Sequence, residues 1–158
     1  EVQDWPIVGT LAQCCGVIFV DRSSTSSTKE MVNEVASALQ RGYHVAGFPE
    51  GTSSEGLRVQ LFHANLFEAA LQIDTGVQPM ALRYCDPQTQ AICGHAAFIG
   101  ELGFLSSLHQ VVLQPGVRAQ VRLEKRLIPT GHSRRTLAHL SHRSVSHALT
   151  ALSMTSMS

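Results

Sequence analysis

Residues Phe48-Pro49-Glu50-Gly51-Thr52-Ser53-Ser54 put a carboxylate, a glycine and three hydroxyls directly after the strand-like run 43–48. Gly51 lets backbone approach a ligand closely, and successive amides and hydroxyls suit phosphate oxygens. If 43–48 is a strand, the turn lies at its C-terminal end, where ligands bind in open α/β sheets. The spacing argues against three other chemistries. No Gly-Lys-Ser/Thr follows, so it is not a Walker phosphate loop. Gly51-Thr52-Ser53-Ser54-Glu55 lacks the closing glycine of a nucleophile elbow. No G-x-G-x-x-G follows any expected strand, which disfavours a dinucleotide binder.

The elements that must position this turn follow from hydrophobic period and punctuation. The apolar run 17–20 reads as a buried strand. Ser27 and Glu30 have capping-box spacing, and Met31, Val35, Ala38 and Leu39 form one helical face that Gly42 stops. Strand 43–48 ends at Pro49. A helix over 63–73 carries Leu66, Phe67, Ala70 and Leu71, with Gly76 as terminator. Strand 77–84 tolerates Pro79 only at an edge, a bulge or a strand start. A turn at 86–89, a short strand at 96–99, a helix over 102–113 and a half-exposed strand at 117–123 come next. Ser133 is placed to cap a last helix whose stripe is Leu137, Leu140, Val145, Ala148, Leu149 and Leu152. Alternating β and α elements predict an α/β fold, a mainly parallel β-sheet flanked by helices and lacking its first elements. Residues 1–152 read as a single domain and 153–158 as a disordered tail. The opening residues from Glu1 to Trp5 read as the interior of a longer chain.

At 158 residues the chain makes one core, and 44% hydrophobic residues argue against intrinsic disorder. The net charge of +0 argues against nucleic acid as a partner. The zero hides a polarity: up to Gly116 there are five basic against eleven acidic residues, and from Val117 seven basic against Glu124 alone, or −6 and +6. The basic end can face an anionic surface or simply be a solvated helix face. On the last helix, His139, His142 and Arg143 are expected to share a solvated or headgroup-facing side. No run reaches the roughly 18 apolar residues of a membrane span. Cys14, Cys15, Cys85 and Cys93 do not form a disulfide framework, which fits a reducing compartment. Cys85, Cys93 and His95 are poorly spaced for zinc, and buried free thiols are the better reading, so no metal is expected.

Several blocks together resemble the glycerolipid acyltransferases typified by bacterial 1-acylglycerol-3-phosphate acyltransferase. Gly16-Val17-Ile18-Phe19-Val20-Asp21-Arg22 resembles that family's second block, Phe48-Pro49-Glu50-Gly51-Thr52 its third and Val77-Gln78-Pro79-Met80-Ala81-Leu82 its fourth. Trp5-Pro6, Gly9 and Phe62 are further similarities, and the likeness spans about residues 1–125. It implies transfer of a fatty acyl group from a thioester on coenzyme A or acyl carrier protein, with no resident cofactor, to the hydroxyl of a lysophospholipid. It also implies a place at the cytoplasmic face of the membrane, peripheral or anchored by a further N-terminal segment. Arg22 is implied to meet the acceptor's phosphate and Glu50 its glycerol oxygens, with Gly51, Thr52 and Ser53 completing that site. The plain alternatives are a strand-end ion pair of Arg22 with Asp21 or Glu50, and a loop carboxylate at Glu50 capping backbone.

The family's general base is a His five positions before an Asp, ahead of the Trp-Pro segment. None of the eight histidines here has Asp at that spacing; His63 has Glu68, and reads as a helix-surface residue. The pair is therefore expected upstream of Glu1, and this segment alone is expected to be inactive. Ser53 stands where many phosphatidate-forming members carry Arg. With Ser54-Glu55-Gly56 and Gly100-Glu101, this is similar to the branch acting on lyso-ornithine lipids. Lysophosphatidic acid is the first acceptor expected and lyso-ornithine lipid the second. A lipid-binding remnant without catalysis is the non-enzymatic alternative.

Overall fold

The computed structural model describes residues 10, 14–18, 25–54, 56–94, 109, 112–113 and 116–155. The expected strand at 96–99 and most of the helix expected over 102–113 lie outside that set, as do residues 19–20 of the buried strand expected at 17–20; its described half, Val17 and Ile18, forms no strand, and Val17 is exposed.

Helix α1 spans Thr25–Gln40. It begins before the expected cap, so Ser27 lies within the first turn; N–H groups there lack intrahelical acceptors anyway, and a run of Ser and Thr is tolerated. Its buried face is centred on Val32, Val35 and Ala36, which close on Ala69 with Met31 and Leu39 at the margins. The C-terminus is a Schellman closure: Gly42 N–H donates to Leu39 O at 3.0 Å and Tyr43 N–H to Ala38 O at 3.1 Å.

The helix expected over 63–73 is divided. A 3₁₀ turn, Ala64–Phe67, leads into helix α2, Glu68–Gln72. Asp74, at φ +48, ends it in place of Gly76: Asp74 N–H donates to Leu71 O and Thr75 N–H to Ala70 O. Asp is among the few side chains that accept the left-handed region, so the chain reverses two residues early.

Strand β1, Met80–Cys85, pairs antiparallel with β2, Arg118–Leu123, from Met80 opposite Leu123 to Cys85 opposite Arg118. This two-stranded antiparallel pair is the sheet among the described residues, which hold no parallel ladder. The expected strand 43–48 has no ladder partner there and forms no strand. β-propensity describes fit to a pleated surface, so a strand depends on a neighbour to accept its hydrogen bonds, and none does so among the described residues. Pro79 does sit immediately before a strand start, as required of a residue without a donor. The turn after β1 is held by Asp86, whose Oδ1 accepts from Gln88 N–H at 2.8 Å and Thr89 N–H at 2.7 Å. Those bonds hold the Asp86 carboxyl below the usual carboxylate value.

Helix α3 spans Arg134–Thr155. Ser133 caps it as expected, its Oγ accepting from Thr136 N–H at 3.2 Å. The helix continues past Leu152, and Ser153 Oγ bonds back to Leu149 O, so 153–155 are helical where a tail was expected. Hydroxyl bonding to the preceding turn is compatible with helix. Leu137 and Ala138 are buried against Phe67, with Phe62, Leu71 and Leu127 around them. Arg83, buried on β1, ties the layers together: Nη1 donates to Leu152 O at 2.9 Å and Nη2 to Gln90 O at 2.8 Å.

Candidate functional site

The turn after residue 48 is closed by backbone and carboxylate together. Gly51 N–H donates to Phe48 O at 3.1 Å, and His63 N–H donates to Pro49 O at 2.8 Å. Gly51 has φ +67, and a Cβ there would lie 3.0 Å from the His63 ring. The left-handed conformation favours glycine at this position, and an added Cβ would press on the His63 ring. Glu50 Oε2 accepts from Gln60 N–H at 2.6 Å across a ten-residue loop. The carboxylate thus clasps its own loop, as the plain reading of a capping carboxylate holds. Its Oε1 has no hydrogen bond among the described residues and can accept one from a ligand hydroxyl. Ser54 Oγ takes Gly56 N–H at 3.3 Å, and Thr52 Oγ1 donates to Ser53 O at 3.4 Å.

Glu50, Thr52 and Ser53 border an open cleft of about 960 Å³ whose wall includes Phe62, Leu66 and Leu149. Such a space, lined by apolar side chains together with charged and hydroxyl groups, suits a ligand with a greasy body and a polar head. Phe48, at 76% exposed, borders it too, and Leu57 and Leu61 are exposed on the same loop. The structure therefore brings Glu50, Gly51, Thr52 and Ser53 together. Arg22 lies outside the described residues.

His63 sits on the exposed side of Gly51, a neighbour its sequence position did not announce. Glu68 is no orienting partner for it, being ion-paired to Arg134 at 3.5 Å. His142 departs from the expected solvated face. Its Nε2 lies 3.4 Å from Val59 O and its ring meets Phe62 edge-on at 5.3 Å, so it pins the loop to α3; His139 and Arg143 are exposed. Position 142 follows buried Ser141 and so lies at the margin of the packed stripe. Cys85 is a buried free thiol, near Gln90 Oε1 at 3.8 Å and Arg118 O at 3.7 Å. Among the described residues no three potential metal ligands cluster, and no helix is long and apolar enough to cross a membrane.

The profile of the family described as Acyltransferase matches residues 1–83. The chain is 33% identical to a lyso-ornithine lipid O-acyltransferase of Pseudomonas aeruginosa over 153 residues, 94% of this chain and 57% of that protein. It is 37% identical to a 1-acyl-sn-glycerol-3-phosphate acyltransferase of Neisseria gonorrhoeae over 86 residues, 54% of this chain and 34% of that one. It is 33% identical to a lyso-ornithine lipid O-acyltransferase of Rhizobium meliloti over 132 residues, 77% and 45% respectively. No solved structure matches it significantly. With the third-block turn formed at a cleft, the chain belongs to the glycerolipid acyltransferase family. It spans 57%, 34% and 45% of these relatives.

Proposed function

We propose that the protein to which this chain belongs transfers a fatty acyl group from a thioester to the hydroxyl of a lysophospholipid. The observation that carries this is the Glu50-Gly51-Thr52-Ser53 turn at the border of an apolar-walled cleft, in a chain of this family. Glu50 Oε1 accepts from an acceptor hydroxyl while Oε2 keeps the loop closed. The reaction needs a base, because a neutral alcohol is a poor nucleophile; a positioned His removes its proton as oxygen attacks the thioester carbonyl. The new ester forms as the carbon–sulfur bond breaks, and the proton leaves with the thiol. That His, with its Asp partner, is assigned to sequence before Glu1, and the phosphate contact to Arg22. The donor is acyl-coenzyme A or acyl carrier protein. The reading includes a mainly parallel sheet and a place at the cytoplasmic face of a membrane, supported by the charge of +6 from Val117 onward.

The acceptor expected first is 1-acylglycerol 3-phosphate, giving phosphatidate. A second acceptor, lyso-ornithine lipid, is favoured by Ser53 and by a relative of that name aligned over 94% of the chain. The test is the full-length protein with an acyl thioester and each lysolipid, the products read by mass spectrometry. Acylation of either acceptor is expected, with residues 1–158 alone giving none. No acylation of either by the full-length protein overturns the reading.

A further inference from the structure

β1 and β2 are joined beyond Met80 by a bulge. Met80 faces Leu123 and Val77 faces Leu127, so residues 78–79 oppose the three residues 124–126. The bulge is held on both sides: Val77 and Leu127 exchange backbone bonds at 2.9 and 2.8 Å, and Glu124 N–H donates to Pro79 O at 3.0 Å. Gln78 Nε2 also donates to Glu124 O. Bulges re-aim a side chain and are common beside binding sites. The side chain turned here is Arg126, which lies over Gly76 so closely that a Cβ on that glycine would collide with its Nε and stand 2.8 Å from Cζ.

Arg126 is exposed, borders the same cleft as Glu50, and has no carboxylate partner among the described residues. The carboxylate nearest in sequence, Glu124, is taken by Arg122 at 3.0 Å, and Asp74 Oδ1 accepts from Thr130 Oγ1 at 3.3 Å. Among the described residues around the cleft, one carboxylate, Glu50, stands against three guanidinium groups, Arg58, Arg83 and Arg126. Arg83 is already committed to two carbonyls.

We propose that Arg126, seated on Gly76 by the bulge, is an anion contact of the cleft that binds a phosphate or carboxylate oxyanion of a substrate. A guanidinium suits that task, since its fork meets two oxygens at once. The inference rests on the acyl-transfer reading for its two sources of anion, the lysolipid headgroup and the phosphates of the thioester carrier.

The full-length protein, R126Q and G76A are titrated calorimetrically with 1-acylglycerol 3-phosphate, with its phosphate-free analogue 1-acylglycerol, and with coenzyme A. Loss of a charged hydrogen bond weakens binding of the relevant anion about tenfold. G76A, which keeps the charge but displaces it, should weaken it in the same direction. Binding of the neutral analogue should not change. Weakening confined to the lysophosphatidate assigns the headgroup; weakening confined to coenzyme A assigns the donor. Unchanged binding of both anions in R126Q overturns the proposal, as does an equal loss for the neutral analogue. Because binding is read without turnover, absence of acylation by the wild type counts against the acyl-transfer reading alone.

Discussion

Replacing Glu50 separates its two oxygens' roles. Oε2 joins Glu50 to the Gln60 amide at 2.6 Å, closing a ten-residue loop that is otherwise held at its ends by the Gly51–Phe48 and His63–Pro49 bonds. A hydrogen bond to a charged group contributes roughly 1.5–3 kcal/mol when desolvated. This one is exposed, so about 1 kcal/mol is the reasonable figure, the freed amide being able to turn to water. That is about a fivefold change in the local opening equilibrium. Glu50→Ala should therefore raise hydrogen exchange at the Gln60 amide about fivefold, and Glu50→Gln, which keeps an acceptor oxygen, by less. The global melting temperature should fall by only about 2–4 °C for a chain of this length. Exchange at Gln60 unchanged in Glu50→Ala would refute the clasp. Exchange raised equally in both variants would show that charge, rather than an acceptor oxygen, holds the loop.

Other consequences follow from the packing and the turns. Leu137, fully buried against Phe67 and Ala138, should cost about 3 kcal/mol when changed to Ala, lowering the melting temperature by roughly 6–12 °C. Leu61→Ala, at a side chain 82% exposed, should shift it by less than about 2 °C, and calorimetry checks both. The Asp86 carboxyl is held below its ordinary value of 3.8 by the Thr89 and Gln88 amides. The stability it contributes is thus present above pH 3.8 and is lost as the pH falls through its lower folded value. Exchange at Gln88 and Thr89 should accelerate, beyond the intrinsic rate, only in that acid window, and Asp86→Ala should abolish the change.

Local chemistry was read directly where one short segment closes on itself. Ser133 as a cap, Gly42 as a helix stop, the turn at 86–89 and the exclusion of Pro79 from a strand interior each depend on a donor, an acceptor or a φ angle within a few residues. The turn around Glu50 and Gly51 was legible for the same reason, and its block in order with two others identified the family. His142 and Arg126 were less legible. What they touch, Phe62 and Gly76, lies 80 and 50 positions away in sequence, and neither pairing has a periodic signature. The helix over 63–73 was placed correctly but its interior was not, since a 3₁₀ turn and an α-turn differ by one residue in the acceptor chosen.

By itself the sequence determined the helices α1 and α3, the stop of α1 at Gly42 and the cap of α3 at Ser133, the composition of the site turn and the family. Tertiary structure alone decided that residues 43–48 border a cleft without joining a ladder among the described residues, that β1 and β2 run antiparallel, and that a bulge turns Arg126 onto Gly76. The physical reason is that caps and helical faces are satisfied within one or two turns of chain. A strand's hydrogen bonds, and the direction of a side chain on it, belong to whichever distant segment folds alongside.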